Sequence, residues 1–284
     1  MTGTLLSLGH GYSARALATR LLPLGWRVIG TSRDPEKLSA LAETGIEPIL
    51  FTREAVTEAL AEADHLLMSA APNEDGDPAL ALAREAIAAR APKLRWAGYL
   101  STTGVYGDAG GAWIDERAPL KAHSRRGRAR VEAEAAWAAI PGLPLHIFRL
   151  AGIYGPGRGP FAKVKAGRAQ RVVKPGQVFS RIHVEDIARV LEASIAAPTP
   201  GEAFNLCDDE PAPPQDVIAH AAELLGLPVP PEVPFEEAEM SPMARSFYAD
   251  NKRTSNAKVK EVLNLEMRYP TYREGLAALL RAEG

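Results

Sequence analysis

The sequence predicts a doubly wound α/β fold, in which helices cover both faces of a parallel sheet. Short apolar runs alternate with longer helical patterns over residues 1–150. The first apolar run leads directly into a glycine-containing turn, and the pattern changes after residue 151, where segments shorten and prolines cluster. Strands that alternate with helices are typical of a parallel sheet covered on both sides.

Six strands and five intervening helices follow from this alternation. The predicted strands are 4–8, 27–31, 47–51, 65–70, 97–101 and 145–150. The predicted helices are 13–22, 35–43, 53–62, 79–90 and 124–139. We expect the strand order 3-2-1-4-5-6, and the sequence allows a seventh strand.

Two units of unequal size are predicted. The main domain spans residues 1–150, and residues 177–198, with a helix near 183–196, return to it. A smaller C-terminal lobe takes up most of residues 151–284. Its proline-rich stretches, 198–214 and 228–234, are typical of rigid surface connections.

Composition excludes several classes of protein. The formal net charge of -2 argues against a general nucleic-acid binder. The single cysteine, Cys207, allows neither an internal disulfide framework nor a cysteine-cluster metal site, and the histidine spacing predicts no metal. No apolar run is long enough to cross a bilayer, and the first residues look like a strand rather than a signal peptide. We therefore expect a cytoplasmic protein that acts on a small molecule.

The first strand ends in the pattern Gly9-x-Gly11-x-x-Ala14. In a strand–turn–helix unit these residues allow a tight turn, close approach of a pyrophosphate and close helix packing. Free N–H groups at the helix start then face the phosphates. The pattern predicts a Rossmann-type dinucleotide site with contacts from Gly9, His10, Gly11, Tyr12 and Ser13; a glycine-rich turn without a ligand is the alternative.

The end of the second strand distinguishes between two cofactors. A carboxylate at the strand end would bind the ribose of NAD. The chain has Ser32 and Arg33 there, and Asp34 stands too late and could instead cap the next helix. Arg33 could bind a 2′-phosphate, with Ser32 beside it, so NADP is favoured over NAD. A surface Arg33 without a ligand remains the alternative.

Later segments resemble the extended short-chain dehydrogenase/reductase superfamily, whose members include NAD-dependent epimerase/dehydratase-like proteins. The segment 99–107 ends in Val-Tyr-Gly, 148–157 contains Tyr-Gly-Pro-Gly, and 182–188 is similar to the family's segment at the lobe junction. Segments 204–206 and 272–276 complete the series. The resemblance implies a small C-terminal substrate lobe and allows a homodimer. The further cofactor contacts that we expect are Ala70, Ala71, Pro72, Ser101, Arg130, Leu150 and Gly152.

The resemblance also locates the catalytic positions, and two of them depart from the family. Thr102 stands where the family has a Ser or Thr facing a substrate oxygen; a strand-end threonine bonded to backbone is the alternative. Arg126 and Arg130 stand at the positions of the family's tyrosine and lysine. Arginine is a poor proton donor at neutral pH. The chain is therefore most similar to atypical bacterial members that lack the Tyr-x-x-x-Lys dyad.

Four arginines open the helix that carries Arg126 and Arg130. Cations are unfavourable at a helix N-terminus, so a docked anion would relieve the conflict; a solvated basic helix end is the alternative. His123, if it turns inward, or Tyr106 could supply the missing proton, as could water; a surface His123 is the favoured alternative.

Two functions follow from these interpretations. The first is an NADP-dependent oxidoreductase or epimerase-like enzyme, acting on a carbonyl or carbinol of an anionic or sugar-nucleotide-like substrate. Thr102 would hold the oxygen, Arg126 would stabilise its charge and Arg130 would position the ribose. The second is a catalytically silent, NADP-binding redox sensor or regulatory protein.

Overall fold

The computed structural model describes residues 2–73 and 75–283. Its strands are β1 (Thr4–Leu8), β2 (Arg27–Ser32), β3 (Glu47–Leu50), β4 (His65–Met68), β5 (Trp96–Thr102), β6 (Trp113–Ile114), β7 (Leu145–Leu150), β8 (Gly152–Tyr154), β9 (Arg171–Val173), β10 (Arg181–His183), β11 (Ala203–Leu206), β12 (Glu232–Pro234) and β13 (Arg253–Thr254). Its α-helices are α1 (Tyr12–Leu21), α2 (Leu38–Ala42), α3 (Arg53–Glu62), α4 (Pro78–Arg90), α5 (Arg125–Ala138), α6 (Phe161–Lys165), α7 (Val184–Ala196), α8 (Pro214–Leu224), α9 (Pro242–Ser246), α10 (Ala257–Leu263) and α11 (Tyr272–Glu283).

The central sheet is parallel, and its order is β3-β2-β1-β4-β5-β7-β11. With β7 as the sixth strand, this confirms the predicted order 3-2-1-4-5-6, and β11 is the seventh strand that the sequence allowed. The order reverses between β1 and β4, which are paired up to Leu8 and Met68. In open sheets of this kind, ligands bind beyond the carboxyl ends of the strands at such a reversal.

Helices cover both faces of the sheet, as predicted. Leu5 of β1 belongs to a core that α1 and α7 close, whereas Leu6 and Leu8 belong to a second core under α3, α4 and α5. The alternation of side chains along a strand divides neighbouring residues between the two cores. The ion pair between Arg20 and Glu192 links α1 to α7 at the rim of the first core.

Capping residues determine where α5 and α7 begin. The Oγ atom of Ser124 accepts a hydrogen bond from the Gly127 N–H at 3.0 Å, so Ser124 caps α5 instead of opening it. His183 likewise precedes α7, and its Nδ1 accepts from the Glu185 N–H at 3.2 Å. The predicted helix 35–43 divides into a 3₁₀ turn that begins at Pro35 and the short helix α2.

The lobe is built around two smaller apolar clusters. One joins α6, α8 and α11, and the other contains Val172, Ala238 and Tyr248. Three parallel strand pairs complete this region: β8 with β10, β9 with β12, and β6 with β13. Because β11 continues the central sheet, the chain returns to the main domain after residue 150, and the exact division into two domains stays a prediction. Within the described residues, no helix has the length and apolar character that a membrane span needs.

Candidate functional site

The turn between β1 and α1 has the geometry of a phosphate-binding turn. Gly9 has φ of +83°, and a Cβ added to it would lie 2.6 Å from the backbone nitrogen of Ala70. Only glycine fits this position without strain. A Cβ added to Gly11 would lie 3.8 Å from the Gly9 carbonyl oxygen, so that side of the turn is open. Because Gly11 has no side chain to cap α1, the first N–H groups of the helix are available to an anion.

The end of β4 borders the same turn. The N–H groups of Ser69 and Ala70 both donate to the Leu8 carbonyl oxygen, at 2.9 and 3.0 Å. These two bonds end the strand at Met68, two residues earlier than predicted, and direct the chain across the end of β1. Ala71, which is exposed, and Pro72, which is half-buried, follow. The structure thus brings the predicted residues 70–72 to the point where the strand order reverses.

The other residues of the turn contact protein rather than open solvent. His10 is buried against β2, where a Cβ on Gly30 would lie 2.8 Å from its imidazole Cγ. Burial, together with the nearby charge of Arg15, lowers the pKa of His10 to about 4, so the ring is neutral at pH 7. The Tyr12 hydroxyl donates to the Pro156 carbonyl oxygen at 2.9 Å and so ties α1 to the Tyr-Gly-Pro-Gly segment. Ser13 is buried in the first turn of α1.

The end of β2 leaves one cation unpaired. The Asp34 carboxylate accepts from the Glu36 N–H at 3.1 Å and pairs with Lys37 at 3.0 Å, so it caps the following turn. Ser32 Oγ donates to the Asp34 carbonyl oxygen at 3.0 Å. Arg33 is exposed and forms no hydrogen bond or ion pair with the part of the chain that the structure describes. The strand end therefore offers a guanidinium rather than a carboxylate.

The end of β5 lies beside the start of α5. The Thr102 hydroxyl oxygen accepts from the Gly104 N–H at 3.1 Å, and its own hydrogen remains available to donate. A Cβ added to Gly127 would lie 2.9 Å from the Gly104 carbonyl oxygen, so glycine lets α5 begin against this turn. Leu150, the register partner of Thr102, is buried next to it, and the exposed Gly152 follows in β8. Thr102 thus forms the hydrogen bond to backbone that the alternative interpretation expected. Its hydroxyl hydrogen is still available to donate to a substrate oxygen.

Arg130 is held on β5. Its Nη1 donates to the Leu100 carbonyl oxygen at 2.7 Å and to the Tyr99 hydroxyl at 2.9 Å. Burial raises the pKa of Tyr99 to about 12, although the Arg130 charge opposes the rise. Only the remaining N–H groups of Arg130 could reach a ribose, and this role stays a prediction.

Arg126 and His123 lie on the outer side of the site. Both are exposed, and the Arg126 guanidinium carbon lies 5.2 Å from the centre of the Phe247 ring in the lobe. The backbone carbonyl of His123 accepts a hydrogen bond from Arg128. A Cβ added to Gly107 would lie 3.1 Å from the imidazole Cδ2 of His123, so the ring stands beside the Val-Tyr-Gly turn.

Tyr106 and Ser101 belong to a buried hydrogen-bond network instead of facing a ligand. The Tyr106 hydroxyl accepts from Arg149 at 2.9 Å and donates to Asn205 at 2.7 Å. Ser101 donates to Glu134, which also pairs with Arg149 at 2.8 Å. Burial raises the pKa of Tyr106 to about 12. These contacts correct two expectations, because neither hydroxyl is free: Tyr106 is poorly suited to donate a proton, and Ser101 to bind the cofactor through its side chain.

One cation near the site was not anticipated from the sequence. Lys252 reaches from the lobe to the main domain, where its Nζ donates to the Gly107 carbonyl oxygen at 2.8 Å and lies 3.5 Å from Asp250. Its side chain is mostly buried, and this partial burial lowers the pKa of the amine. Local spacing gave no signal for this contact, which joins residues 145 positions apart.

Comparison with known proteins agrees with this geometry. Residues 8–207 match the family model described as the NAD dependent epimerase/dehydratase family. Protein YeeZ of Escherichia coli is 30% identical over 239 residues, which cover 78% of this chain and 84% of that protein. The 3-diazoavenalumate denitrifying reductase of a Streptomyces species is 25% identical over 299 residues, 97% of this chain and 94% of that protein.

A solved structure extends the match to the whole chain. It is described as a functionally unknown conserved protein from Silicibacter pomeroyi, and it is 58% identical with a TM-score of 0.93. The match covers 99% of this chain and 100% of that one. The family match, the sheet order and the open glycine turn agree, and the chain belongs to the NAD-dependent epimerase/dehydratase family.

Proposed function

We propose that this chain is an NADP-dependent oxidoreductase or epimerase-like enzyme that acts on a carbonyl or carbinol carbon of an anionic substrate. The observation that carries the NADP preference is the end of β2. Arg33 is exposed and without a polar partner in the described residues, while the neighbouring carboxylate of Asp34 is engaged in capping. A free guanidinium suits a 2′-phosphate, whereas NAD requires a carboxylate for its ribose hydroxyls.

The residues present fit a dinucleotide. The open face of Gly11 and the uncapped start of α1 would receive the pyrophosphate, and Arg33 would receive the 2′-phosphate. When bound, the nicotinamide supplies or accepts a hydride at C4. Thr102 would donate a hydrogen bond to the substrate oxygen, and Arg126, close to the same turn, would stabilise negative charge that develops there.

The source of the proton distinguishes this site from one with a catalytic tyrosine. Tyr106 is committed to Arg149 and Asn205, which leaves His123 or water as the donor. His123 is exposed beside Gly107, and its imidazole could donate a proton to a substrate bound there. The Streptomyces relative is named a reductase, which supports reductive hydride transfer on this scaffold.

A silent NADP-binding sensor is the second candidate, and one observation favours it. The position of the family's tyrosine carries Arg126, and the nearby Tyr106 has no free hydroxyl. A sensor would bind NADP and NADPH with different affinities and would exchange hydride with no substrate. The homodimer and the cytoplasmic location remain predictions.

The test is a fluorescence titration with NADPH and NADH, on wild-type protein and on Arg33→Ala. We expect wild-type protein to bind NADPH more tightly than NADH. Arg33→Ala should lower the affinity for NADPH by roughly 10- to 100-fold, because one or two charge-assisted hydrogen bonds are lost. NADH should be nearly unaffected. Arg95→Ala changes an exposed arginine that precedes β5, at the opposite edge of the sheet, so it is a charge-matched control and should behave as wild type. Equal loss of both nucleotides in Arg33→Ala would contradict the 2′-phosphate assignment.

A further inference from the structure

Arg126 and Phe247 form a contact between the main domain and the lobe. The guanidinium carbon lies 5.2 Å from the ring centre. Arg126 is the second residue of α5, and Gly127 brings this helix against the turn that follows Thr102. The contact therefore stands beside the helix start that packs against the turn after Thr102, whose hydroxyl we assign to the substrate oxygen.

The lobe side of this contact is apolar and uncovered. The side chains of Phe247 and Met243 are 57% and 60% exposed. They lie four residues apart on the segment formed by α9 and the turn that follows it. Single exposed apolar residues need no explanation, but two neighbours beside an arginine form a surface that can receive a flat apolar group.

Arg126 differs from three lobe cations around this segment because it has no polar partner among the described residues. It forms no hydrogen bond or ion pair within residues 2–73 and 75–283. Three neighbouring lobe cations are already bonded to backbone carbonyl groups: Lys174 to Tyr248, Arg245 to Ala238, and Arg181 to Phe179 and Ala212. The site thus offers one unpaired guanidinium next to an exposed ring.

We infer that the substrate is a monocarboxylate on a flat, conjugated or aromatic skeleton. In such a substrate Arg126 binds the carboxylate with two parallel N–H groups instead of stabilising charge at the reacting oxygen, which Thr102 alone would contact. Phe247 and Met243 pack against the face of the skeleton. This inference rests on the proposed function, because it assigns the substrate class of the same site. It replaces the broader expectation of any anionic or sugar-nucleotide-like substrate.

A sugar nucleotide fits these observations less well. Its diphosphate carries two charges and is usually held by several cations and N–H groups. Lys174, Arg181 and Arg245 would each have to give up a backbone carbonyl group to take part, and a carbonyl buried without its donor is costly. A single carboxylate requires no such rearrangement.

The experiment is calorimetric titration of trans-cinnamate into the full chain, both alone and saturated with NADP⁺. Cinnamyl alcohol, which lacks the charge, cyclohexanecarboxylate, which lacks the flat skeleton, and UDP-glucose are the comparison probes. We expect cinnamate to bind at least ~10-fold more tightly than each of the three probes. The alcohol loses the charge-assisted contact with Arg126, and the cyclohexane ring loses the stacking contact with Phe247.

Two variants test the residues. Arg126→Gln should lower the affinity for cinnamate about 10-fold or more, and Phe247→Ala should lower it several-fold. Both side chains are exposed, so the thermal midpoint and the NADPH affinity should stay at wild-type values. Arg117→Gln removes an equal charge from an exposed guanidinium that pairs with Asp115, and cinnamate should bind this variant as it binds wild type.

The outcomes separate the inference from the function on which it rests. Tighter binding of UDP-glucose, no binding of cinnamate, or cinnamate binding that neither variant weakens would overturn the inference. If any of these occurs while NADPH still binds, only the substrate class fails. Failure of NADPH to bind would overturn the proposed function, and the titration without cofactor would still report on Arg126 and Phe247.

Discussion

The two sides of the cleft are built in different ways. On the nucleotide side, the turn at Gly9 and Gly11 and the start of α1 present backbone N–H groups in a geometry that only small residues allow. On the proposed substrate side, the groups are side chains at the end of β5, at the start of α5 and in the lobe, and we predict that arginine replaces the tyrosine and the lysine of the family there. A backbone site tolerates almost no change of residue, whereas a side-chain site can take up another chemistry on the same scaffold.

This difference explains why one scaffold can keep its cofactor and change its reaction. The geometry of the nucleotide side depends on the order of the strands and on the positive φ of Gly9, and the fold determines both. On the substrate side, hydrogen bonds to Arg149 and Asn205 fix Tyr106, whereas Arg126 has no polar partner among the residues that the structure describes. We therefore expect substitutions on the first side to affect folding or nucleotide binding. On the second side, we expect changes at Thr102 and Arg126 to affect turnover or substrate affinity, and a change at the buried Tyr106 to affect stability.

The largest effect should come from Gly9→Ala. The added methyl would lie 2.6 Å from a backbone nitrogen, at a φ of +83°. We expect a fall of several kilocalories per mole in the free energy of unfolding, or failure to fold, because neither the backbone nor its neighbour can move easily. Thermal denaturation without cofactor measures this effect.

Gly11→Ala is the matched control. Its methyl would meet only the Gly9 carbonyl oxygen, at 3.8 Å, so the thermal midpoint should stay close to wild type. The methyl would, however, occupy the open face where the pyrophosphate approaches, and NADPH binding should weaken by at least ~10-fold. Equal loss of stability in the two variants would show that the turn is not open as described.

A pair of variants at the end of β5 should separate a catalytic from a structural hydroxyl. Tyr106→Phe should lower the free energy of unfolding by about 1–3 kcal/mol, because Arg149 and Asn205 lose a buried partner. Its hydride-transfer rate, once a substrate is in hand, should be near wild type and keep its pH profile. Thr102→Val should do the opposite, with a loss in rate of about 10-fold or more and intact nucleotide binding. A Thr102→Val variant that transfers hydride at the wild-type rate would contradict the proposal that Thr102 binds the substrate oxygen.

The smallest effect concerns a buried acid where the lobe meets the sheet. Burial raises the pKa of Asp208 to about 8, although the Arg181 charge opposes the rise. In the unfolded chain the pKa of an aspartate is about 3.9. The folded state therefore holds the proton more tightly, and its contribution to stability is complete below pH ~4 and lost as the pH rises to about 8.

Asp208→Asn should remove this pH dependence. Relative to wild type, the thermal midpoint of the variant should rise by a few degrees more at pH 9 than at pH 5. Asp209→Asn is the control, because that carboxylate already pairs with Lys260 at 3.2 Å and should show no such gain. The same difference between the variant and wild type at both pH values would mean that Asp208 ionises normally.

Local sequence patterns predicted most of the nucleotide side. The alternation of strands and helices predicted the parallel sheet, the Rossmann-type turn pattern predicted the strand order, and the lack of an acid at residue 33 pointed to the free guanidinium. Each of these features depends on residues that are neighbours in the chain. Asp34, for example, caps the turn that starts at the next residue, which its type and position already suggested.

The substrate side was predicted less well, because its contacts join distant segments. Tyr106 bonds to Asn205, 99 residues away, and Lys252 bonds to Gly107, 145 residues away. Such pairs depend on how the lobe packs against the sheet, which spacing does not encode. The motif that contains Tyr106 was found, but whether its hydroxyl was free or committed depended on Arg149, a residue on a neighbouring strand.

The most direct measurement of the central claim is the pair of dissociation constants for NADPH and NADH on the wild-type protein, taken together with Arg33→Ala. If the nucleotide side is built as described, NADPH binds at least ~10-fold more tightly, and the variant loses that preference. Binding of neither nucleotide, or an NADH affinity equal to that of NADPH, would contradict the account of an NADP site at the ends of β1 and β2.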